Sequence, residues 1–280
     1  MNRFYYSSCL VLFFQTFING NLYALDYFWV GGTGNWSEFS THWATTSGGA
    51  TFRTQVPQST DDVFFDANSF TAGGQIVTIN QTVVNCRSMS WTGATNSPTL
   101  AGASSNDLFI YGSLTFIGAM TYSFSGDVFF SSTAAGNNIT SAGKTFLGYV
   151  YFDGAGGGWT LQDAMVVSSS QYLYLTRGTL TTNNQNLTTG GFNTSNSNTR
   201  ALSLGSSLFT ISANDLLAWN AYTLTNFTFT AGTSTVQFTG TGTGTSAPEI
   251  SHANGTGLTF YNVTFSGEGE KERNRNNKFF

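Results

Sequence analysis

The chain has 280 residues, of which 9% are charged and 16% are aromatic, and 32 are glycine. Disorder is excluded by this composition, because the aromatic residues supply apolar surface whose burial offsets the entropy of folding. The formal net charge is -4 and the basic residues of the body are scattered singly, so we expect no nucleic-acid partner.

Residues 1–24 have the features of an export signal. Arg3 provides the positive charge, Cys9 to Ile18 form an apolar run, and Ala24 ends a plausible cleavage site. The apolar run is about half of the roughly 20 residues that a membrane span requires, so no transmembrane segment is expected after cleavage. The sequence therefore predicts a secreted protein, either extracellular or on the cell surface.

Residues 25–70 are predicted to form an N-terminal cap. This segment contains Trp29, Trp36 and Trp43 together with Pro57, and it differs from the repetitive body that follows. A stack of β-strands needs such a cap, because its first coil would otherwise expose an unpaired edge.

Residues 71–267 are predicted to form a β-solenoid body. A five-residue unit, in which positions one and three are apolar and position five is glycine, recurs at 108–112, 114–118, 150–154, 236–240 and 263–267. In a strand the two apolar side chains point inward, the intervening side chain points to solvent, and glycine permits the turn. Stacked units bury their apolar faces along one core, which indicates a parallel β-helix. A β-sandwich or jelly roll is the alternative all-β interpretation.

Residues 268–280 form a charged tail without a strand pattern. Two interpretations are open for this tail. It is either a solvated end of the protein or a sign that the natural chain continues past Gly267.

Two sets of residues are candidate binding sites. Asp61, Asp62 and Asp66 could share a calcium ion, which prefers several oxygen ligands, although aspartates in this position also commonly hydrogen-bond a turn. Aromatic faces stack on the apolar faces of sugars, so four tryptophans are candidate carbohydrate contacts: Trp36, Trp43, Trp91 and Trp159.

No catalytic residue is assigned. Single aspartates at 107, 127, 153, 163 and 215 are expected to hydrogen-bond corners of the fold. Acidic residues on one face would instead suit a polysaccharide-degrading β-helix.

One stretch carries a family resemblance. The sequence WVGGTGNWS at Trp29 to Ser37, followed by His42-Trp43-Ala44 and by DDVFFD at Asp61 to Asp66, resembles the start of repetitive, adhesin-like secreted and cell-surface proteins of Bacteroidetes-type bacteria. The resemblance implies a right-handed parallel β-helix exported across the outer membrane.

Together these features predict a secreted or cell-surface structural or adhesive module without catalytic activity. Its expected partners are surface glycans or other cell-surface and matrix components. The alternative is a carbohydrate-binding or polysaccharide-degrading β-helix protein.

Overall fold

A computed structural model describes residues 24–214, 217–241, 248–252 and 257–267. Most of the predicted signal peptide and the whole charged tail therefore lie outside the described residues, as does Asp215. In the part of the chain that is described, no helix is long and apolar enough to cross a membrane.

The described chain consists of 26 short strands and one four-residue helix, α1 Phe39–His42. The first thirteen strands are β1 Asp26–Trp29, β2 Gly34–Asn35, β3 Trp43–Ala44, β4 Asp62–Phe64, β5 Ile76–Ile79, β6 Val83–Cys86, β7 Met89–Ser90, β8 Thr99–Gly102, β9 Asp107–Ile110, β10 Leu114–Thr115, β11 Thr121–Phe124, β12 Asp127–Phe130 and β13 Asn137–Thr140. The remaining thirteen are β14 Thr145–Phe146, β15 Val150–Leu161, β16 Met165–Val167, β17 Tyr172–Thr181, β18 Leu187–Thr189, β19 Gly191–Asn193, β20 Arg200–Ser203, β21 Leu208–Ile211, β22 Trp219–Ala221, β23 Phe227–Thr230, β24 Thr235–Phe238, β25 Ile250–His252 and β26 Asn262–Phe265.

These strands form the three faces of a solenoid of about eight turns. Face I contains β6, β9, β12, β19, β22 and β25 together with the first parts of β15 and β17. Face II contains β1, β4, β7, β10, β13, β20 and β23 together with the last parts of β15 and β17. Face III contains β2, β5, β8 and β11 and, further along the axis, β14, β16, β18, β21, β24 and β26.

Parallel pairing between successive turns confirms the predicted parallel β-solenoid and rules out a sandwich. Every pairing between these strands is parallel except that of β1 with β3. The length of a turn varies: Leu173 pairs with Phe192, nineteen positions on, whereas Trp219 pairs with Ile250, thirty-one positions on. Variable corners explain why the sequence shows no strict period.

The core lies between the three faces, and in most strands buried side chains alternate with less buried ones. In β9, Leu108 and Ile110 are fully buried, while Asp107 and Phe109 point outward and are half-buried. The recurrent unit found in the sequence therefore has the orientation that was predicted for it.

The first turn is covered by an aromatic cluster. Strand β3 pairs antiparallel with β1, placing Trp43 opposite Trp29. The rings of Trp29 and Trp36 lie 4.9 and 4.8 Å from that of Trp43 in edge-to-face geometry, and all three are fully buried. Edge-to-face packing of this kind adds to the stabilisation from burial.

Candidate functional site

Face I carries a continuous row of aromatic side chains on its outer surface. The register of β9, β12, β15 and β17 places Phe109, Phe129, Tyr151 and Tyr174 side by side on four successive turns. Neighbouring ring centroids are 4.3, 4.4 and 4.7 Å apart, and the planes differ by 4 to 11°. We call this row the aromatic ladder.

Two further tyrosines widen one end of the ladder. Tyr149 lies directly before β15, and Tyr172 is the first residue of β17. Together with Tyr151 and Tyr174 they form a block of two residues on each of two successive turns, which we call the tyrosine quartet. The Tyr149 ring is nearly perpendicular to those of Tyr151 and Tyr174, with centroids 6.3 and 5.8 Å away. All four side chains are half-buried, so each still reaches solvent.

A glycine on the following turn makes room for the quartet. The ring of Tyr172 lies against Gly191, where a Cβ atom would overlap it. The glycine that begins β19 thus lets the tyrosine lie flat on the surface of the next turn.

An acidic pair lies on the same face beside the ladder. Asp107 and Asp127 are direct partners in the pairing of β9 with β12, and Asp127 Oδ1 accepts the backbone N–H of Tyr149 at 2.9 Å. Burial raises the pKa of Asp107. Burial also raises the pKa of Asp127, and the charge of Asp107 raises it further, while the hydrogen bond from Tyr149 opposes this shift.

The quartet and the acidic pair together form an amphipathic surface with a definite chemistry. The stacked faces of the ladder rings are occupied by one another, so Tyr151 and Tyr174 offer ring edges and hydroxyl groups, while Tyr149 is turned across them. Phenol hydroxyls donate and accept, and ionised carboxylates accept only, which matches a ligand rich in hydroxyl groups. Burial and neighbouring charge, chiefly that of Asp127, raise the pKa of Tyr151 to about 12, so its hydroxyl keeps its proton at neutral pH.

Replacing both members of the acidic pair should not destabilise the fold at neutral pH. Because the folded pKa of each carboxyl is raised, the folded chain binds protons more tightly than the unfolded chain, and stability falls as the pH rises above the ordinary aspartate pKa of about 3.9. We expect the free energy of unfolding of the Asp107→Asn and Asp127→Asn double variant at pH 7 to equal that of the parent or to exceed it by up to about 1 kcal/mol. The advantage should disappear at pH 3, as measured by urea unfolding at both pH values. A double variant less stable than the parent at pH 7 would show that the carboxylates are structural.

The four tryptophans predicted to contact carbohydrate occupy the core instead of the surface. Trp36, Trp43 and Trp91 are fully buried and Trp159 is 1% exposed. They pack against other aromatic rings: Trp91 stacks on Phe65 with centroids 3.9 Å apart, and the other three make edge-to-face contacts. These rings therefore present no face to a sugar. The physical reason is that indole is the largest apolar side chain available to fill a wide solenoid core.

The three aspartates of the candidate calcium site each have separate partners. Asp61 is 3% exposed and accepts the N–H groups of Leu25 and Gln58, whereas Asp62 pairs with Arg87. Asp66 accepts the N–H of Asn68 at 2.9 Å, closing a turn. Within the described ranges, no three His, Cys, Asp or Glu side chains are grouped so that they could hold a metal ion. The structure thus gives the three carboxylates separate roles: Asp61 is buried directly before β4, Asp62 begins that strand and pairs with Arg87, and Asp66 closes a turn after it.

Besides Asp127, two of the single aspartates join turns, as expected for corner positions. Asp163 accepts the backbone N–H groups of Ser141 and Ala142 on the preceding turn. Asp153 forms an ion pair with Arg177 at 3.3 Å on the following turn.

Two clefts lie away from the tyrosine quartet. One, of about 380 Å³, is lined by residues that include Ala24, Arg87 and Tyr111. The other, of about 730 Å³, lies near the last turns and is lined by residues that include Tyr222 and Phe229. Neither is lined by Asp107 or Asp127.

The tyrosine quartet was not identified from the sequence, although a signal was present. The outward position between two apolar residues is aromatic in four consecutive face I strands, as in Leu108-Phe109-Ile110 and Leu173-Tyr174-Leu175. An aromatic residue at a position that the pattern assigns to solvent is the observation that could have revealed it. Its alignment depended on unequal turn lengths, which the sequence does not show.

No family model, no curated protein and no solved structure matches the chain.

Proposed function

We propose that the protein is an exported structural and adhesive β-solenoid module that binds glycans through the tyrosine quartet and the adjoining acidic pair. The observation that carries the proposal is the block of four solvent-accessible tyrosines on two successive turns of face I, next to two aligned carboxylates. Export is inferred from residues 1–24, and adhesion from the resemblance of the N-terminal block.

A glycan fits this surface better than an apolar partner. Tyrosine combines an apolar ring with a polar tip and suits surfaces that remain wet when a ligand binds. Asp127 provides carboxylate oxygen next to Tyr149, and Asn193 follows Tyr174 in the register, adding an amide on the next turn. Turns of the solenoid repeat every 4.8 Å or so, as neighbouring strands do, so a linear glycan along the axis would meet one set of side chains per turn.

Removing Tyr149 and Tyr172, the two members of the quartet that lie outside the aromatic ladder, should abolish most of the glycan binding. The chain is titrated with cellohexaose, chitohexaose and mannohexaose in a calorimeter, after a glycan array has ranked the ligands. Replacing Tyr149 and Tyr172 with alanine leaves the stacked ladder intact. It should lower the affinity for the best ligand at least about tenfold, a loss of roughly 1.4 kcal/mol of binding free energy. Tyr222→Ala is the matched control, because Tyr222 is 63% exposed and lies elsewhere on the solenoid.

Two results would argue against the proposal. If the double variant and the parent bind the glycan with equal affinity, the binding site lies elsewhere on the protein. If no glycan on the array is bound, only the proposed structural role remains. The same samples are assayed for new reducing ends, because a polysaccharide-degrading β-helix is the alternative interpretation. Release of reducing ends by the parent, and not by the Asp107→Asn variant, would favour that alternative.

A further inference from the structure

The first turn of the solenoid holds the backbone nitrogen of Leu25 against a buried carboxylate. The N–H of Leu25 donates to Asp61 Oδ1 at 3.1 Å, and its carbonyl oxygen accepts the N–H of Asp62 at 3.0 Å. Asp61 is only 3% exposed, and its second oxygen accepts the N–H of Gln58 at 2.9 Å. Leu25 is thus fixed on both sides immediately before β1 begins at Asp26.

The Asp61 carboxylate has no cationic side chain paired with it in the described part of the chain. The guanidinium of Arg87 forms its ion pair with Asp62. The guanidinium of Arg53 donates to the carbonyl of Asp26 and lies 4.9 Å from the centroid of the Tyr27 ring. A carboxylate taken out of water without a counter-charge is costly, since hydrogen bonds from neutral N–H groups replace only part of its hydration.

We propose that cleavage of the Ala24–Leu25 peptide bond supplies the missing cation, and that the new α-ammonium group of Leu25 pairs with Asp61. The inference rests on the export part of the proposed function. In the reaction a peptidase of the export machinery catalyses attack of water on the carbonyl carbon of Ala24. The C–N bond breaks, the hydroxyl of water stays on the Ala24 carbonyl carbon, and the remaining water proton goes to the Leu25 nitrogen. At neutral pH the new carboxyl group of Ala24 releases its proton and the amine takes one up, which leaves a carboxylate and an ammonium group.

The surroundings of the Ala24–Leu25 bond can accommodate a free amino group at Leu25. Ala24 is exposed and lines the 380 Å³ cleft, so its removal opens space beside the nitrogen. The nitrogen already lies within hydrogen-bonding distance of Asp61, so the pair forms without rearrangement. A small residue on the amino side of the cut is what signal cleavage requires. Sequence and geometry therefore point independently to the same bond.

The site of cleavage is tested on the exported protein. The full chain is expressed in an export-competent bacterial host, and the product in the periplasm and medium is analysed by N-terminal sequencing and peptide mass spectrometry. We expect Leu25 as the first residue. An exported product that begins elsewhere would overturn this inference and leave the proposed export intact, whereas a chain retained in the cytoplasm with residues 1–24 attached would overturn the export itself.

The ion pair is tested through the pH dependence of stability. An α-amino group titrates near pH 7.7 in an unfolded chain, and pairing with Asp61 raises its pKa in the folded chain. The stabilisation is therefore complete below about pH 7.7 and is lost as the pH rises through the folded value. The chain that begins at Leu25 should lose about 3 °C of melting temperature between pH 6.5 and 9.5 relative to the same chain with an acetylated N-terminus.

The pH dependence of the melting temperature is assigned to the Leu25 nitrogen by considering its charged neighbours and by two variants. The charged side chains nearby are Asp26, Asp62, Arg53 and Arg87, and the hydrogen bond with Asp62 raises the pKa of Arg87. Burial together with the charge of Asp61 raises the pKa of Tyr27. Asp61→Asn should abolish the difference between the free and acetylated chains, while Asp26→Asn, at an exposed neighbour, should preserve it. If Asp61→Asn does not fold, the comparison of the free and acetylated parent chains still tests the ion pair. Identical pH profiles of these two would contradict the pair.

Discussion

Replacing Arg200 with methionine should lower the free energy of unfolding by about 3–5 kcal/mol, because it leaves several buried carbonyl groups without a donor. Arg200 is 1% exposed and begins β20 in the interior of face II. Its guanidinium donates to the carbonyl oxygens of Thr194, Asn198, Thr223 and Thr225 at 2.6 to 2.8 Å. The four carbonyls belong to the corners of two successive turns, so this one side chain joins the turns.

The chemistry of Arg200 explains why methionine is the informative replacement. Methionine keeps the apolar stem but provides no donor. Burial lowers the pKa of Arg200 to about 10, which leaves the group charged at neutral pH. The ring of Phe227 lies 4.9 Å from the guanidinium carbon and supports the charge through its π-face.

Arg177→Met is the matched control for Arg200→Met. Arg177 lies in β17 directly before Gly178, which pairs with Arg200; it is half-exposed and forms one ion pair with Asp153 at 3.3 Å. Such a pair contributes about 0–1 kcal/mol, so the control should be close to the parent in urea unfolding followed by circular dichroism. Equal losses in the two variants would show that the buried hydrogen bonds of Arg200 are not what stabilises this region.

The second large effect is expected at Gly126, at the corner between β11 and β12. A Cβ atom there would overlap the backbone carbonyl oxygen of Asn106 on the preceding turn. Because the obstacle is backbone and not the end of a flexible side chain, the turns must separate. We expect Gly126→Ala to cost about 3 kcal/mol. The measurement is again the free energy of unfolding.

Gly118→Ala is the control for the corner glycine. Gly118 is exposed, and no atom lies within 4 Å of the position of its added Cβ. Alanine should therefore be neutral or slightly stabilising there, because it restricts the unfolded chain. Gly126 also precedes Asp127, so its replacement should reduce glycan binding as well, whereas Gly118→Ala should not. A Gly126→Ala variant as stable as the parent would contradict the close approach of the two turns.

The local pattern was enough to predict the architecture, and the candidate site was not predicted. Alternation in units such as Val150-Tyr151-Phe152 identifies which side chains face inward, because the side-chain period of a strand is two residues. The same rule, applied to single tryptophans, does not tell whether Trp91 faces out, because it lies just beyond the two-residue strand β7. The expected sugar contacts were therefore placed on core residues.

The functional surface depends on distances along the sequence that no local rule provides. Phe109 and Phe129 are twenty positions apart, whereas Tyr151 and Tyr174 are twenty-three apart, yet both pairs stack face to face. Corners of different length absorb the difference, so the ladder becomes visible only when the turns are aligned. The same holds for Arg200, which in the sequence is one of several isolated basic residues and in the structure fills a polar pocket in the core.

The amino-acid pattern alone establishes the class of the fold: an aromatic-rich chain of alternating strands that must stack in order to bury their apolar faces. That follows from interactions between residues one to four positions apart. The stacking of the turns is needed to show which residues form the tyrosine quartet, which carboxylates adjoin it, and that Asp61 contacts the nitrogen of Leu25 thirty-six positions away. These contacts join different turns, and their register is set by the packing of the whole solenoid.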